Sequence, residues 1–184
     1  MKLNTLITLA GAGYISYLCA TNPLGQSIDN HPIPRYGSGE EKLTTGDFGA
    51  HVITAAKAYG IPIDLALAVS HQESRGDMSA VRGEPQTKHY AVRALKAVGW
   101  IDSGGNPLFG SWEPWTSSHC ALQIMGWNAP RYGRTWQDLK DPETCAEVGM
   151  NILANCKARK GSWEGALECY NGSKKYAKEV MKLW

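Results

Sequence analysis

Phenylalanine is scarce in this 184-residue chain: 2 Phe stand against 7 Trp and 8 Tyr. Trp and Tyr pair a flat apolar face with a polar handle, which suits wet clefts and interfaces as well as cores. An excess of one charge is also missing. Lys+Arg number 19 and Asp+Glu 17, a net of +2, so no strong field favours nucleic acid as a partner. Gly and Pro, at 20 and 9, are too few for a collagen-like or low-complexity chain. With 43% hydrophobic and 20% charged residues the composition is globular. The length suits one ordinary domain with a tail to spare, and no internal repeat is visible.

Metal-binding patterns are absent too. There is no C-x-x-C pair among Cys19, Cys120, Cys145, Cys156 and Cys169, which weakens zinc-ribbon and thioredoxin readings. Gln72 stands between His71 and Glu73 and breaks any H-E-x-x-H, and His89 and His119 lack ligand spacing. The sequence therefore implies no metal and no cofactor. An odd number of cysteines leaves at least one thiol unpaired or linked between chains. Cys145 and Cys156 fall on one expected helix, about 16 Å apart at 1.5 Å per residue, too far for a disulfide. The expectation is mostly buried thiols, with room for one bridge.

Charge disappears from the N-terminus: after Lys2 the next charged residue is Asp29. Leu3 to Ala20 is apolar but only moderately so, near the lower length limit for crossing a bilayer. A cleaved secretory signal fits the basic start but has bulky Leu18 where a small residue belongs. A lipoprotein signal on Cys19 meets the same obstacle. A retained anchor with Lys2 on the cytoplasmic side fits length and flank, and a buried helix of a soluble protein is the bland alternative. Residues 1–21 are thus expected to be a membrane anchor or signal segment and 22–45, with Pro23, Pro32 and Pro34, an exposed linker. Residues 46–184 would form the folded domain.

Within that domain, Phe48, Val52, Ala56 and Tyr59 recur at helical spacing until Gly60 and Pro62. A second helix starts near Pro62 and ends near Gly76, and a third covers Tyr90 to Val98. Residues 101–119 read as a long loop or short hairpin, and Ala121 to Asn128 as the start of a short helix. Asp141 caps a helix whose face carries Cys145, Val148, Ile152 and Cys156. Ser162 caps another through Tyr170, closed by Asn171-Gly172. The last runs from Lys174 to Trp184 with Tyr176, Val180 and Leu183 inward. Lys174, Lys175, Lys178 and Lys182 form a basic face, ordinarily solvated, that would also suit acidic wall peptides or anionic lipid. The fold class is mostly α.

Glu73 stands out on physical grounds. Leu65, Val69 and Glu73 share one helix face, so the carboxylate lies at the edge of a buried stripe. It also sits in the last turn, where the helix dipole disfavours negative charge. Both effects push its pKa up, and an acid still protonated near neutrality suits general-acid chemistry. The bland alternative is a last-turn glutamate paired with Arg75 or a lysine. A two-carboxylate glycosidase needs a partner roughly 5–9.5 Å away; Asp77, Glu84, Asp102 and Glu113 are available, and spacing fixes none of them.

Three segments, HQESRG (71–76), SSHCALQIMG (118–126) and ECYNGS (168–173), resemble the Glu-Ser, Gly-Leu-Met-Gln and Ala-Tyr-Asn motifs of the lytic transglycosylases with the soluble-type, goose-lysozyme-like fold. The order matches, with a capped helix between the second and third. The resemblance covers residues 46–184 and is nearest to the small versions found in phage virions and conjugation or secretion machinery. It implies a lysozyme-like domain with a long insertion, cleaving the β-1,4 bond between N-acetylmuramic acid and N-acetylglucosamine of peptidoglycan with formation of a 1,6-anhydro sugar. Glu73 would be the sole catalytic acid/base. Ser74 would orient the glutamate or a sugar, and Gln123 would bind the saccharide or brace the cleft. Tyr170 would contact the Glu73 carboxyl or the ring near it, and Asn171 would hold that loop. Implied partners are peptidoglycan strands, a membrane through residues 1–21 and virion or secretion-complex proteins. The implied location is membrane-associated or exported, acting in the periplasm. A hydrolytic muramidase and a non-catalytic peptidoglycan-binding assembly protein remain the alternatives.

The sequence departs from the family pattern. Cys120 takes the place of the motif's first glycine, Leu122 that of its methionine, and Cys169 that of the third motif's alanine. Forty-six residues separate Glu73 from Cys120, more than compact members have. The insertion 84–117 carries Trp100, Trp112 and Trp115, which suit either sugar contact or packing onto the domain.

Overall fold

A computed structural model describes residues 46–184. The anchor or signal expected at 1–21 and the linker expected at 22–45 lie outside the described residues. Among the described residues no helix is long and apolar enough to cross a membrane.

The order is α1 (Gly46–Ala58), α2 (Ile63–Ser74), β1 (Val81–Gly83), a 3-10 turn (Pro85–Thr87), α3 (Lys88–Ala97), the one-turn α4 (Trp112–Trp115), β2 (Ser117–His119) and β3 (Ile124–Met125). Two 3-10 segments (Gly126–Tyr132 and Asp138–Lys140) lead into α5 (Pro142–Lys160), α6 (Trp163–Asn171) and α7 (Lys174–Leu183). The helices start and stop where local chemistry dictates. Asp141 accepts from the Thr144 N–H with Pro142 in the first turn, and Gly161 closes α5 in the left-handed region. Ser162 and Ser173 accept from the N–H groups of Gly165 and Tyr176 to start α6 and α7.

Helix α5 is the axis of the domain, packed by α1 on one side and α6 on another. Its buried residues run Cys145, Ala146, Val148, Gly149, Met150, Asn151, Leu153 and Cys156. They surround the helix, so the single apolar face expected from Cys145, Val148, Ile152 and Cys156 is corrected: Ile152 is only half-buried. A helix enclosed by neighbours does not keep one apolar stripe. Its buried Asn151 is fully engaged, Asn155 Nδ2 donating to Asn151 Oδ1 at 2.8 Å and Asn151 Nδ2 to the Tyr59 hydroxyl at 3.0 Å. In α7, Tyr176 and Val180 turn inward as expected, but Leu183 is exposed.

A small antiparallel sheet, ordered β1-β2-β3, pairs Val81 with His119, Gly83 with Ser117, and His119 with Ile124. The helix expected from Ala121 is instead a tight turn into β3. Strands of two or three residues are too short to show the two-residue periodicity that marks a strand in sequence. The insertion has its own small core: Ala91, Leu95 and Trp115 are buried together, with Trp100, Trp112, Trp127 and Trp136 packed around them. Trp115 and Trp136 both donate indole N–H groups to the Phe109 carbonyl, at 3.0 and 3.4 Å. Packing is therefore the role of Trp115, which is fully enclosed.

The expectation for cysteine is corrected. Two disulfides form, Cys120–Cys145 and Cys156–Cys169. The first ties the turn before β3 to the start of α5, and the second ties the end of α5 to α6. Each joins two different elements, a proximity that spacing within one helix does not reveal.

Candidate active site

Glu73 occupies the last turn of α2, which ends at Ser74 because Arg75 enters the left-handed region with φ 58° and Gly76 follows at φ 81°. Leu65 and Val69, on the same face, are fully buried. The carboxyl is half-buried at the end of that stripe. Its pKa is pushed up to about 7 from an ordinary 4.5. Loss of hydration is the largest cause; the Tyr176 hydroxyl, the Arg82 guanidinium and the Asn171 side chain, in that order, pull it down, and the charge of Glu84 adds to the rise. The bland alternative of a pair with Arg75 is not what forms, since the cation acting on Glu73 is Arg82 from β1.

Three elements converge on this carboxyl. Tyr176 comes from α7, and its buried hydroxyl closes no hydrogen bond of ordinary geometry, although it acts on Glu73 as a nearby donor. Burial and then the charge of Glu73 raise the Tyr176 phenol far above its usual range, so it stays a neutral donor. Asn171, at the end of α6, supplies a second side-chain contact. Arg82 and Glu84 come from β1 and the residue after it, joined by an ion pair at 2.8 Å.

The other expected residues build the frame. Ser74 Oγ donates to the Ala121 carbonyl at 2.9 Å and accepts from the Asp77 N–H at 2.9 Å, fastening the end of α2 to the turn 120–123. Gln123 is fully engaged: its Nε2 donates to the carbonyls of Cys120 (3.0 Å) and Ala80 (3.2 Å), and its Oε1 accepts from Ser118 Oγ at 2.9 Å. Of the two roles expected for it, the geometry is that of a brace. Tyr170 lies close enough for Glu73 to add to the burial that lifts its phenol, yet its hydroxyl donates to the Leu122 carbonyl at 2.8 Å. Tyr170 thus holds the loop, and Asn171 meets the carboxyl.

The turn carrying these contacts is unusual in its backbone. Cys120 and Gln123 have φ 61° and 47°, a region that disfavours side chains with a Cβ. Cys120 keeps a conformation that suits glycine, and its sulfur is anchored to Cys145. One turn further along α5, Gly149 has no side chain to obstruct Leu122; a Cβ there would collide with Leu122 Cδ1. The turn is therefore pressed onto α5 at Gly149 and bonded to it at Cys145.

Tyr176 and Arg82 were not expected at the site, and of the four carboxylates available as partners to Glu73 it is Glu84 whose charge reaches it. Tyr176 reads as a core residue of an amphipathic helix, and spacing gives no hint that its hydroxyl would meet a group 103 residues earlier. His119 is buried with burial lowering its pKa, and its Nε2 meets the Pro114 carbonyl at 2.7 Å. A neutral imidazole donating there has a structural role. Among the described residues no cluster of His, Cys, Asp or Glu could hold a metal ion.

A mostly helical domain thus holds one half-buried carboxyl of raised pKa beside a tyrosine hydroxyl, an asparagine side chain and a guanidinium, an arrangement that can give and take a proton near neutrality. The family follows from the sequence match: the transglycosylase SLT domain matches residues 50–182, and the chain belongs to that family. Members of the family are lytic transglycosylases acting on peptidoglycan. No curated protein and no solved structure matches significantly.

Proposed function

We propose that this protein is a peptidoglycan lytic transglycosylase with Glu73 as its sole acid/base. The observation that carries this is the Glu73 carboxyl, whose pKa near 7 leaves much of it protonated at neutral pH. Glu73 donates its proton to the glycosidic oxygen between N-acetylmuramic acid and N-acetylglucosamine, and the bond from that oxygen to muramyl C1 breaks. The substrate's N-acetyl group stabilises the positive charge at C1. The Glu73 carboxylate then takes the proton of the muramyl C6 hydroxyl as that oxygen closes onto C1, which gives the 1,6-anhydro sugar and restores the acid. The nucleophile is tethered, so no second carboxylate is needed to position water. Asn171 contacts the reacting carboxyl and the sugar beside it, while Ser74, Gln123 and Tyr170 hold the cleft wall in place.

Glu84 favours the second reading, a hydrolytic muramidase, because its charge reaches Glu73. Its Oε1 is taken up by Arg82, which leaves it less free to position a water and supports the lyase reading. Two disulfides in so small a domain suit an oxidising compartment. Together with residues 1–21 read as tether or export signal, this supports an enzyme working outside the cytoplasm, at the wall. A small enzyme held there suits local wall opening during phage entry or the assembly of secretion or conjugation machinery.

Mass spectrometry of sacculi digested by the full chain tests the reading. It predicts 1,6-anhydro ends, and a loss of about 10²- to 10⁴-fold in Glu73→Gln. Reducing ends would establish the muramidase, and an inactive chain that still binds sacculi would establish the assembly protein.

A further inference from the structure

Beyond Glu73 the sheet leads to a second feature. Gln123 clasps the Ala80 carbonyl beside the site, β1 runs on from there, and four residues of strand span about 13 Å. At its far end the Glu84 N–H donates to the Thr116 carbonyl at 2.8 Å. There the chain opens a pocket of about 360 Å³ between residues 83–88 and 112–117. The insertion builds it, and no role assigned above uses it.

The lining decides what fits. Pro85 and Trp112 give it apolar walls, and Glu84, Lys88 and Glu113, which carry two carboxylates and one ammonium, stand along its edge. Glu84 is already neutralised by Arg82, whereas Glu113 makes no ion pair among the described residues. Lys88 Nζ lies over the Trp112 ring, 5.1 Å from its centroid. The indole face is thus occupied by a cation and is not free to stack on a sugar ring. A neutral sugar would also strip water from Lys88 and Glu113 without offering a counter-charge. A ligand carrying an amine, a carboxylate and short alkyl groups satisfies both charges and the apolar walls together.

We propose that this pocket binds the stem peptide of the wall glycan, taking its free carboxylate at Lys88 and its free amine at Glu113. The proposal rests on Glu73 acting on peptidoglycan. The stem hangs from the muramic acid, the residue whose bond is cleaved, so a peptide pocket one short strand away lies within its reach. The insertion would then make the enzyme selective for peptide-bearing glycan.

The test compares the full chain on stem-bearing sacculi and on the same glycan stripped by an amidase. The wild type is expected to prefer the stem-bearing form in kcat/KM by about tenfold, the scale of two partly exposed charge contacts. In the double variant Lys88→Ala, Glu113→Gln that preference falls toward one. In parallel, free tetrapeptide of the wall titrated into the Glu73→Gln chain should move the Trp112 indole N–H resonance, and should not when the two pocket substitutions are added. A preference retained by the double variant, an absent preference in the wild type, or an unmoved indole at millimolar peptide overturns the proposal. A chain that cleaves neither glycan defeats the enzyme reading instead, and the indole titration then decides the pocket by itself.

Discussion

Glu73 keeps its proton because water is taken away from it faster than its neighbours replace water. The Tyr176 hydroxyl, Arg82 and Asn171 each favour the ionised form, and burial still outweighs them. A carboxyl raised from 4.5 to about 7 has a consequence for stability. Between those values the folded chain binds more protons than the unfolded one, so stability falls as pH rises through that window and levels off above about 7. Glu73→Gln has no charge to bury. Its Tm should match the wild type below about pH 4.5 and exceed it by at least about 3 °C above pH 7; calorimetry at two pH values checks this. Tyr176→Phe removes a group that lowers the pKa of Glu73. The alkaline limb of its kcat/KM profile should move to higher pH, whereas a purely structural role for the hydroxyl would lower the profile without moving it. At this scale the sequence was informative about Glu73: two apolar residues at four-residue spacing and a helix end point to a raised pKa, but an ordinary ion-paired glutamate stayed open until the motifs were weighed. It was silent on Tyr176 and Arg82 and could not choose Glu84 from four candidate carboxylates, because contacts between α2, α7 and β1 are set by packing and not by spacing.

The element that organises the site is the turn 120–123. It receives Ser74 from α2, Tyr170 from α6 and its own Gln123, and it rests on α5 through Leu122 and Gly149. Cysteine in place of glycine looks crowded in the sequence, and the left-handed backbone at Cys120 shows why. The bond to Cys145 supplies what the backbone strain takes away. Reducing that link, or replacing Cys120 and Cys145 together by Ala and Ser, should cost about 2–4 kcal/mol and lower activity by loosening the brace. In the Cys145→Ser background, Cys120→Gly should be more stable than Cys120→Ala by about 1 kcal/mol, because glycine accepts a positive φ without strain. Urea unfolding of the two variants measures the difference, and equal midpoints would remove the role assigned to the backbone. The helices were legible from caps and spacing, as at Asp141 and Ser162. The sheet and the disulfides were not, since each depends on residues brought together across the chain.

At the scale of the molecule, α5 gathers the other helices, and a tryptophan-lined insertion with its own small core extends the sheet side of the site. The helical part presents Glu73 with Tyr176 and Asn171, and the sheet and insertion supply Arg82, Glu84 and the pocket beside Lys88 and Trp112. The motifs made the first half readable because they are short and local. The insertion carries no motif, and its tryptophans fit packing and binding equally well until Trp115 is seen enclosed and Trp112 at the pocket. The most direct test of the whole account is the titration of the Glu73 side-chain carboxyl by carbon-13 NMR in the intact chain. A midpoint near 7 is predicted; a midpoint near the ordinary 4.5 would mean that Glu73 is ionised at neutral pH and contradict its role as the acid.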